Sequence, residues 1–490
     1  MEEVKEKEML HINVPWNLLD TIILIGYFVL MIGIGLRFRS KARMSMSSYF
    51  LSGRSLALPL VIGTMMTSWY DGYSVVGVAE YGATIGIAGM IVYVIPCTIS
   101  RIPFALWIAP LVRGKIPEDV MTIPDLMEYL YNRKAKVFST IAVLAGVLYN
   151  GANITVISQL LALMFDMPTV ISVIVSGAVV GIYVLASGMW SVTMTDTFQL
   201  GFISFSVGIG VIAVMNMTGG WDAIFGALGT EAPMLFEPMG GMNGLTALSW
   251  ALIGLAIYTE PMMYQRFSAS DSAKTAKRSF MFCIPMWLVF STAVIMIGFC
   301  ARTLHPKEEF YMAFWTTVFD ALPGGLRGLF VAGLIAAVMS TLSSYILVQA
   351  AACTKDLYTG ITGKSVSDEK LIKWNNIATV FIIIFSMLAT SQWMSGIVNA
   401  MYFVTGFQVA GLMVPLVVGL FYKKKTPQAG WITMIFGFAF WLFWNYLMAG
   451  RTGVPANNIT WVIAFVLYMI ICKITYKGDD GRAVEVKQGV

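Results

Sequence analysis

Five ionisable side chains stand inside long apolar runs of this 490-residue chain: Asp71, Glu80, Arg101, Asp196 and Glu260. A charge kept from water in such a run costs about 2.5 to 3.5 kcal/mol, so each one asks for a partner or a task. Trp69, Tyr70 and Tyr73 surround Asp71, and Tyr258 stands two residues before Glu260. Aromatic faces beside carboxylates suit an ammonium group, at about 0.5 to 2 kcal/mol per cation–π contact. A cationic amine or a zwitterionic amino acid is therefore the expected ligand class. Arg101 is expected to form a structural charge pair with Asp71 or Glu80; if it faces the cavity instead, a carboxylate solute is favoured. Asn150, Asn153 and Gln408 are further polar candidates, although amides in apolar helices also bond from helix to helix.

A different chemistry is offered near Gly333, where Ala337, Ser340, Thr341 and Ser344 recur at i, i+3, i+4 and i+7 with Ser343 beside them. That spacing places them on one helical stripe. Hydroxyls, together with carbonyls freed at a helix break, can coordinate a hard monovalent cation, and the same small residues also allow close helix packing. The carboxylate of Asp196 could bind a cation, relay a proton or cap a helix, and spacing does not choose among these. Asp20, near the start of the first apolar run, is expected to reach the interface.

The elements that must hold these residues follow from composition. The chain is 58% hydrophobic and 12% charged, with a mean hydropathy of +0.75, whereas soluble domains carry about 25% charged residues. This excludes a soluble enzyme. The net charge of +5 comes from lysines and arginines in short loops beside apolar runs, a membrane pattern that implies no nucleic-acid partner. Cys97, Cys283, Cys300, Cys353 and Cys472 lack the spacing of a metal site or a disulfide framework, and His11 and His305 are the only histidines. No nucleophile–base set is present, so a membrane enzyme is not expected. The first apolar run lacks a cleavage motif and is expected to stay in the membrane.

Thirteen apolar runs reach or approach the roughly 20 residues that cross a bilayer core. Numbered 0 to 12, they are 14–38, 56–83, 87–112, 137–165, 168–186, 190–217, 244–263, 279–301, 328–353, 374–391, 395–422, 429–448 and 458–476. The chain is expected to form a single transmembrane domain over 1–490, with a cytoplasmic tail at 477–490. Twenty-five of the 32 lysines and arginines fall on one side of this arrangement and six on the other. By the positive-inside rule the N-terminus is outside and the C-terminus inside the plasma (cytoplasmic) membrane. Two spans are interrupted: span 1 by Thr67-Ser68-Trp69-Tyr70-Asp71-Gly72 and span 6 by Tyr258-Thr259-Glu260-Pro261. Breaks at corresponding positions of two halves point to an inverted-repeat transporter with its site at the midplane, while Pro/Gly kinks in an ordinary bundle would read the same way.

Several runs together resemble the sodium/solute symporter family, which includes proline, pantothenate, sialic acid, glucose and choline carriers. They are Phe50-Leu51-Ser52-Gly53-Arg54-Ser55-Leu56, Trp190-Ser191-Val192 with Thr195-Asp196 and Gln199, Tyr264-Gln265-Arg266-Phe267 after span 6, Ala336 to Ser344, and Lys355-Asp356-Leu357-Tyr358. The resemblance covers essentially the whole chain. It implies an all-α polytopic protein of 13 transmembrane helices with a LeuT-type five-plus-five inverted repeat at 56–217 and 244–422, and with spans 1 and 6 broken. It further implies a first sodium site from the carbonyls of Thr67, Tyr70 and Ala337 and the hydroxyls of Ser340 and Thr341. A second sodium site, as in sialic acid carriers, would use Asp196, Ser340, Ser343 and Ser344, giving one or two Na+ per cycle. The solute candidates are Trp69, Asp71, Tyr73, Tyr258, Glu260, Asn153 and Gln408. Proline carriers have an acid at the position of Trp69, from which this chain departs; Thr67-Ser68-Trp69 with Tyr73 is closer to the choline carriers. The expected function is sodium-coupled import of a small organic solute, an amino acid or cationic amine, by alternating access. The alternatives are an anionic solute such as a monocarboxylate, or proton coupling through Asp196. The expected partners are the solute, sodium and the lipid bilayer, with no obligate protein partner evident.

Overall fold

The computed structural model describes residues 15–42, 45–185, 188–390 and 397–478. The expected tail lies outside these residues from 479 onward, as do the expected span limits at 14, 186, 391 and 395. Among the described residues the chain is helical throughout, with one isolated bridge between Leu56 and Ser270. Ten helices are long and apolar enough to cross a bilayer, and the pair Gly244–Thr259 and Pro261–Ala269, bent by 41°, is an eleventh candidate. The two other expected spans are the shorter apolar helices Leu58–Thr67, which ends at a break, and Thr169–Leu185.

Several helices outrun their apolar cores. Span 6 continues to Ala269, span 7 covers Ala273–Leu304, and span 8 begins at Leu326 and runs through Thr362. Hydropathy stops at the first charge, whereas a helix continues as long as its polar residues find protein partners. One consequence corrects the loop reading: Tyr264-Gln265-Arg266-Phe267 lies inside the second half of span 6, and Arg266 is completely buried.

Span 8 occupies the centre of the bundle, with its whole apolar window buried. Span 5, Met189–Thr218, packs against it and against the first half of span 1. Ser340, Thr341, Ser343 and Ser344 of span 8 therefore face protein, the setting in which such groups are cheap within a bilayer. The outer faces carry exposed Ile, Leu, Val and Phe side chains, as lipid contact requires. Asp20 does not reach the interface as expected. It is buried, and its Oδ1 accepts hydrogen bonds from the amides of Gly325 (2.7 Å) and Gly328 (2.8 Å), capping the positive N-terminal end of span 8. Spans 1 and 7 meet at backbone distance through glycine: a Cβ at Gly298 would lie 1.8 Å from the Ala79 carbonyl oxygen, and one at Gly82 would lie 2.2 Å from that of Ile295.

The segment ahead of span 1 is a clamp on span 6. Ser52, Gly53 and Arg54 all have positive φ, and this left-handed turn directs the Arg54 guanidinium to the carbonyls of Ser268 (3.1 Å), Glu118 (2.6 Å) and Val120 (3.2 Å). The short helix Ile123–Leu130 is tied to the feet of spans 3 and 8 by Asp125, which accepts from Lys136 (2.9 Å) and from Lys355. Burial alone would raise the Asp125 pKa, but Lys355 and Lys136 beside it prevail and hold it well below the usual carboxylate range.

Candidate functional site

The helix Leu58–Thr67 stops where the polar run begins, and after Gly72 the chain winds as a π-helix over Tyr73–Gly77 before the α-helix Val78–Thr84. The amide of Gly72 bonds to Asn153 Oδ1 (3.1 Å), a side-chain substitute for the missing helical carbonyl. The carbonyls released by this break point at the hydroxyl stripe of span 8. Ser340 Oγ donates to the carbonyls of Thr67 (3.0 Å) and Ala337 (2.9 Å), and Thr341 Oγ1 donates to those of Tyr70 (2.9 Å) and Thr67 (3.3 Å). Three carbonyl and two hydroxyl oxygens thus converge from two helices. All five residues are buried. An all-oxygen set without carboxylate, nitrogen or sulfur suits a hard monovalent cation.

In span 6, a tight helical turn over Ile253–Thr259 ends at Glu260, whose φ and ψ of −77° and 106° are extended. Pro261 dictates this, because its ring excludes the α conformation from the preceding residue while its own fixed φ starts the next helix. The two breaks flank a cleft lined by Ser68, Trp69, Asp71, Tyr73, Tyr149, Glu260 and Tyr345, among others. Each break carries one carboxylate, held by a tyrosine two spans further along. Asp71 accepts from the hydroxyl of Tyr149 in span 3 and from Ser74 through its amide (2.8 Å) and hydroxyl (2.9 Å). Glu260 accepts from the hydroxyl of Tyr345 in span 8 (2.7 Å) on one oxygen, and its other oxygen has no hydrogen-bond partner.

Arg101 departs from expectation. Among the described residues it forms no ion pair with Asp71 or Glu80. Its guanidinium lies over the faces of two neighbouring indoles, 4.8 Å from the Trp69 ring and 4.7 Å from that of Trp287. Asp71 is already engaged by Tyr149 and Ser74, and a planar guanidinium stacks well on aromatic faces. Trp69 borders both the main cleft, which Asp71 lines, and an adjoining one that Arg101 lines.

Three solute candidates point elsewhere. The hydroxyl of Tyr258 donates to Ser100 O (2.9 Å) and its ring packs on Phe104, joining span 6 to span 2. Asn153 holds the span 1 break as described. Gln408 donates to Ala142 O (3.0 Å), tying span 10 to span 3. Tyr73 remains at the cleft, with its hydroxyl 2.8 Å from that of Tyr81.

Asp196 accepts from Thr64 Oγ1 (2.6 Å) and faces Arg266, whose Nη2 lies 3.8 Å from Asp196 Oδ2 and donates to Ser344 Oγ. Ser344 Oγ also lies 3.2 Å from Ser68 Oγ, and Ser343 Oγ donates to the Ser340 carbonyl (2.9 Å). Tyr149, Tyr345, Trp287 and Thr64 were not singled out by sequence. Each lies in an apolar run where its polar atom is invisible to hydropathy, and only the partner reveals its role.

The sodium:solute symporter family model matches residues 49–437. A sodium/glucose cotransporter of Vibrio parahaemolyticus is 24% identical over 95% of this chain and 92% of its own length. The osmoregulated proline transporter OpuE of Bacillus subtilis (strain 168) is 24% identical over 93% of this chain and 95% of its own. Among solved structures, a Na+-coupled sialic acid symporter in a substrate-bound outward-open state matches with a TM-score of 0.79 at 16% identity, covering 94% of this chain and 98% of that one. These relatives are transporters, not enzymes, and sodium is the coupling ion that the family implies. The chain belongs to the sodium:solute symporter family.

Proposed function

We propose that this protein imports a zwitterionic, amino-acid-type solute together with sodium, by alternating access across the cytoplasmic membrane. The observation that carries the reading is the convergence of the Thr67, Tyr70 and Ala337 carbonyls with the Ser340 and Thr341 hydroxyls, immediately beside the cleft that Trp69 and Asp71 line. Sodium at these oxygens joins the broken span 1 to span 8. Solute in the cleft touches the same 67–71 segment from its other side. Each ligand therefore favours the state in which the segment is ordered, so each raises the affinity for the other. Inward movement of one positive charge contributes about 2.3 kcal/mol per 100 mV of membrane potential, in addition to the sodium gradient.

The solute class follows from the charges around the cleft. Glu260 offers one carboxylate oxygen without a partner, and Arg101 offers a stacked guanidinium without an ion pair among the described residues. An ammonium group at the first and a carboxylate toward the second, across Trp69, describe an amino acid better than a simple amine. Proline transport is named for relatives at 24% identity, which agrees with this class. A monocarboxylate is the second reading, favoured by Arg101. The remaining features of the reading are thirteen spans with a five-plus-five repeat, the N-terminus outside and the C-terminus inside; the basic bias of one side supports that orientation even after Arg266 is removed from the loops.

The test is uptake into proteoliposomes of labelled proline, a neutral aliphatic amino acid, choline and lactate, with inward sodium or potassium gradients. Sodium-driven uptake of an amino acid is expected. Sodium-driven uptake of lactate alone would move the assignment to monocarboxylates, and uptake indifferent to sodium would reject the cation set.

A further inference from the structure

We infer that Asp356, at the foot of span 8, is a proton-binding site, and that loss of its proton loosens the short helix Ile123–Leu130 from spans 3 and 8. The inference does not depend on the proposed sodium set. Asp356 lies three residues beyond the apolar run that ends at Cys353, on the side proposed to be cytoplasmic. It is 0% exposed and, alone among the buried carboxylates of the described residues, has no hydrogen-bond partner on either oxygen. The two lysines that could serve it are engaged elsewhere. Lys136 Nζ donates to Asp125 Oδ1 (2.9 Å) and Glu128 Oε2 (2.8 Å), and Lys355 Nζ donates to Asp125. Burial weighs most against an ionised Asp356, and Asp125 repels it more strongly than either lysine attracts it.

The other charges on the elements packed around this turn are committed or turned to solvent. Arg133 donates to the carbonyls of Gly360 and Ile361, and Lys134 lies over the Trp431 ring. Asp368, Glu369, Lys370 and Lys373 of span 9 are exposed, and Cys353 contributes only a thiol. Three carboxylates, Asp125, Glu128 and Asp356, thus share two ammonium groups. The excess negative charge falls on the one carboxylate that has no hydrogen bond. An ionised carboxylate so placed is far costlier than a neutral acid, so the fold holds Asp356 protonated. With the proton in place the cluster is balanced, and Asp125 draws the short helix onto both spans. Without it, Asp125 and Asp356 repel across the same lysines and the tie weakens. At neutral pH the folded chain keeps this proton, whereas the unfolded chain, whose aspartates titrate near about 3.9, does not. Raising the pH therefore favours opening of the cluster.

The test is the melting temperature of the purified full-length chain from pH 6 to 9, wild type against Asp356→Asn, whose amide stands for the neutral acid. The difference, variant minus wild type, should rise with pH by at least about 2 °C across the range. A fixed cost of substitution displaces that difference without tilting it, so a level or falling difference would overturn the inference. Asp356→Ser, smaller and equally neutral, should show the same tilt and keeps the test available if the amide does not fold. Hydrogen exchange, corrected for its intrinsic pH dependence, localises the effect. Amides of Ile123–Leu130 should exchange faster at pH 9 than at pH 6 in the wild type and equally in Asp356→Asn; an equal response in both proteins would overturn the link to the helix. Repeating the melts with choline in place of sodium and potassium separates a proton from a metal cation. A tilt that survives the replacement supports the proton, and one that disappears gives the place to a metal ion and overturns the inference.

Discussion

The two broken helices solve the same problem with different chemistry. At the break in span 1 the released carbonyls of Thr67 and Tyr70 turn toward the hydroxyls of span 8, and the Gly72 amide is satisfied by Asn153. At the break in span 6 a proline makes the interruption, and the Tyr258 carbonyl takes the hydroxyl of Tyr264 from its own span. Span 6 instead sends side chains: Glu260 meets Tyr345, and Arg266 meets Ser344 and Asp196. One break exposes neutral backbone oxygen suited to a mobile ion, and the other brings its own fixed charges. On the proposed function, sodium coupling would run through span 1, and span 6 would contribute to charge recognition in the cleft.

The largest effect on stability is expected away from both breaks and serves as their reference. Asp125→Asn removes the carboxylate between Lys136 and Lys355 and should cost about 3 to 5 kcal/mol, with sodium and solute affinities preserved. Because the native Asp125 pKa is depressed below its unfolded value of about 3.9, its contribution is complete above that pH and is lost as pH falls through and below it. Thermal melts from neutral to acid pH should show a steeper acid loss in the wild type than in the variant; parallel curves would remove Asp125 from the stability account.

Next come the two carboxylates, which should separate cleanly. Asp71 has both oxygens bonded within the fold, so Asp71→Asn should lower stability by about 1 to 3 kcal/mol. Glu260 lines the cleft and has one buried oxygen without a hydrogen-bond partner, so Glu260→Gln should raise the solute KM about tenfold, or about 1.4 kcal/mol, with a smaller change in Tm. Tm in detergent and uptake KM for both variants check this pair, and an exchange of the two phenotypes would break the comparison. The smallest effect is assigned to Arg101→Lys, which keeps the charge and weakens the stacking on Trp69 and Trp287. A loss of about 0.5 to 1 kcal/mol should appear in the KM of a carboxylate-bearing solute and not in that of an amine.

Much of this was legible in the sequence because the bilayer imposes a length and a polarity on every span. The apolar runs located the helices, and the runs Thr67 to Gly72 and Tyr258 to Pro261 located both breaks. The stripe at Ala337, Ser340 and Thr341 emerged from helical spacing, with the resemblance supplying its carbonyl partners. What remained hidden was the choice of neighbour. Periodicity assigns a residue to a face but does not say which helix covers that face. Asn153, Gln408 and Tyr258 therefore read as solute contacts, although they bond to Gly72, Ala142 and Ser100. Asp20 read as an interfacial residue, although it caps span 8. Arg266 was assigned to a loop because hydropathy ends where its helix continues.

The central claim is that sodium acts between the span 1 break and span 8. It is tested most directly by the sodium dependence of amino-acid uptake in proteoliposomes containing Thr341→Ala and the Ser340→Ala/Thr341→Ala double variant, each with its Tm measured in potassium to establish folding. Thr341→Ala should weaken apparent sodium affinity by about tenfold or more, and the double variant should lose sodium stimulation. A double variant that melts like the wild type and retains its sodium affinity would contradict the account.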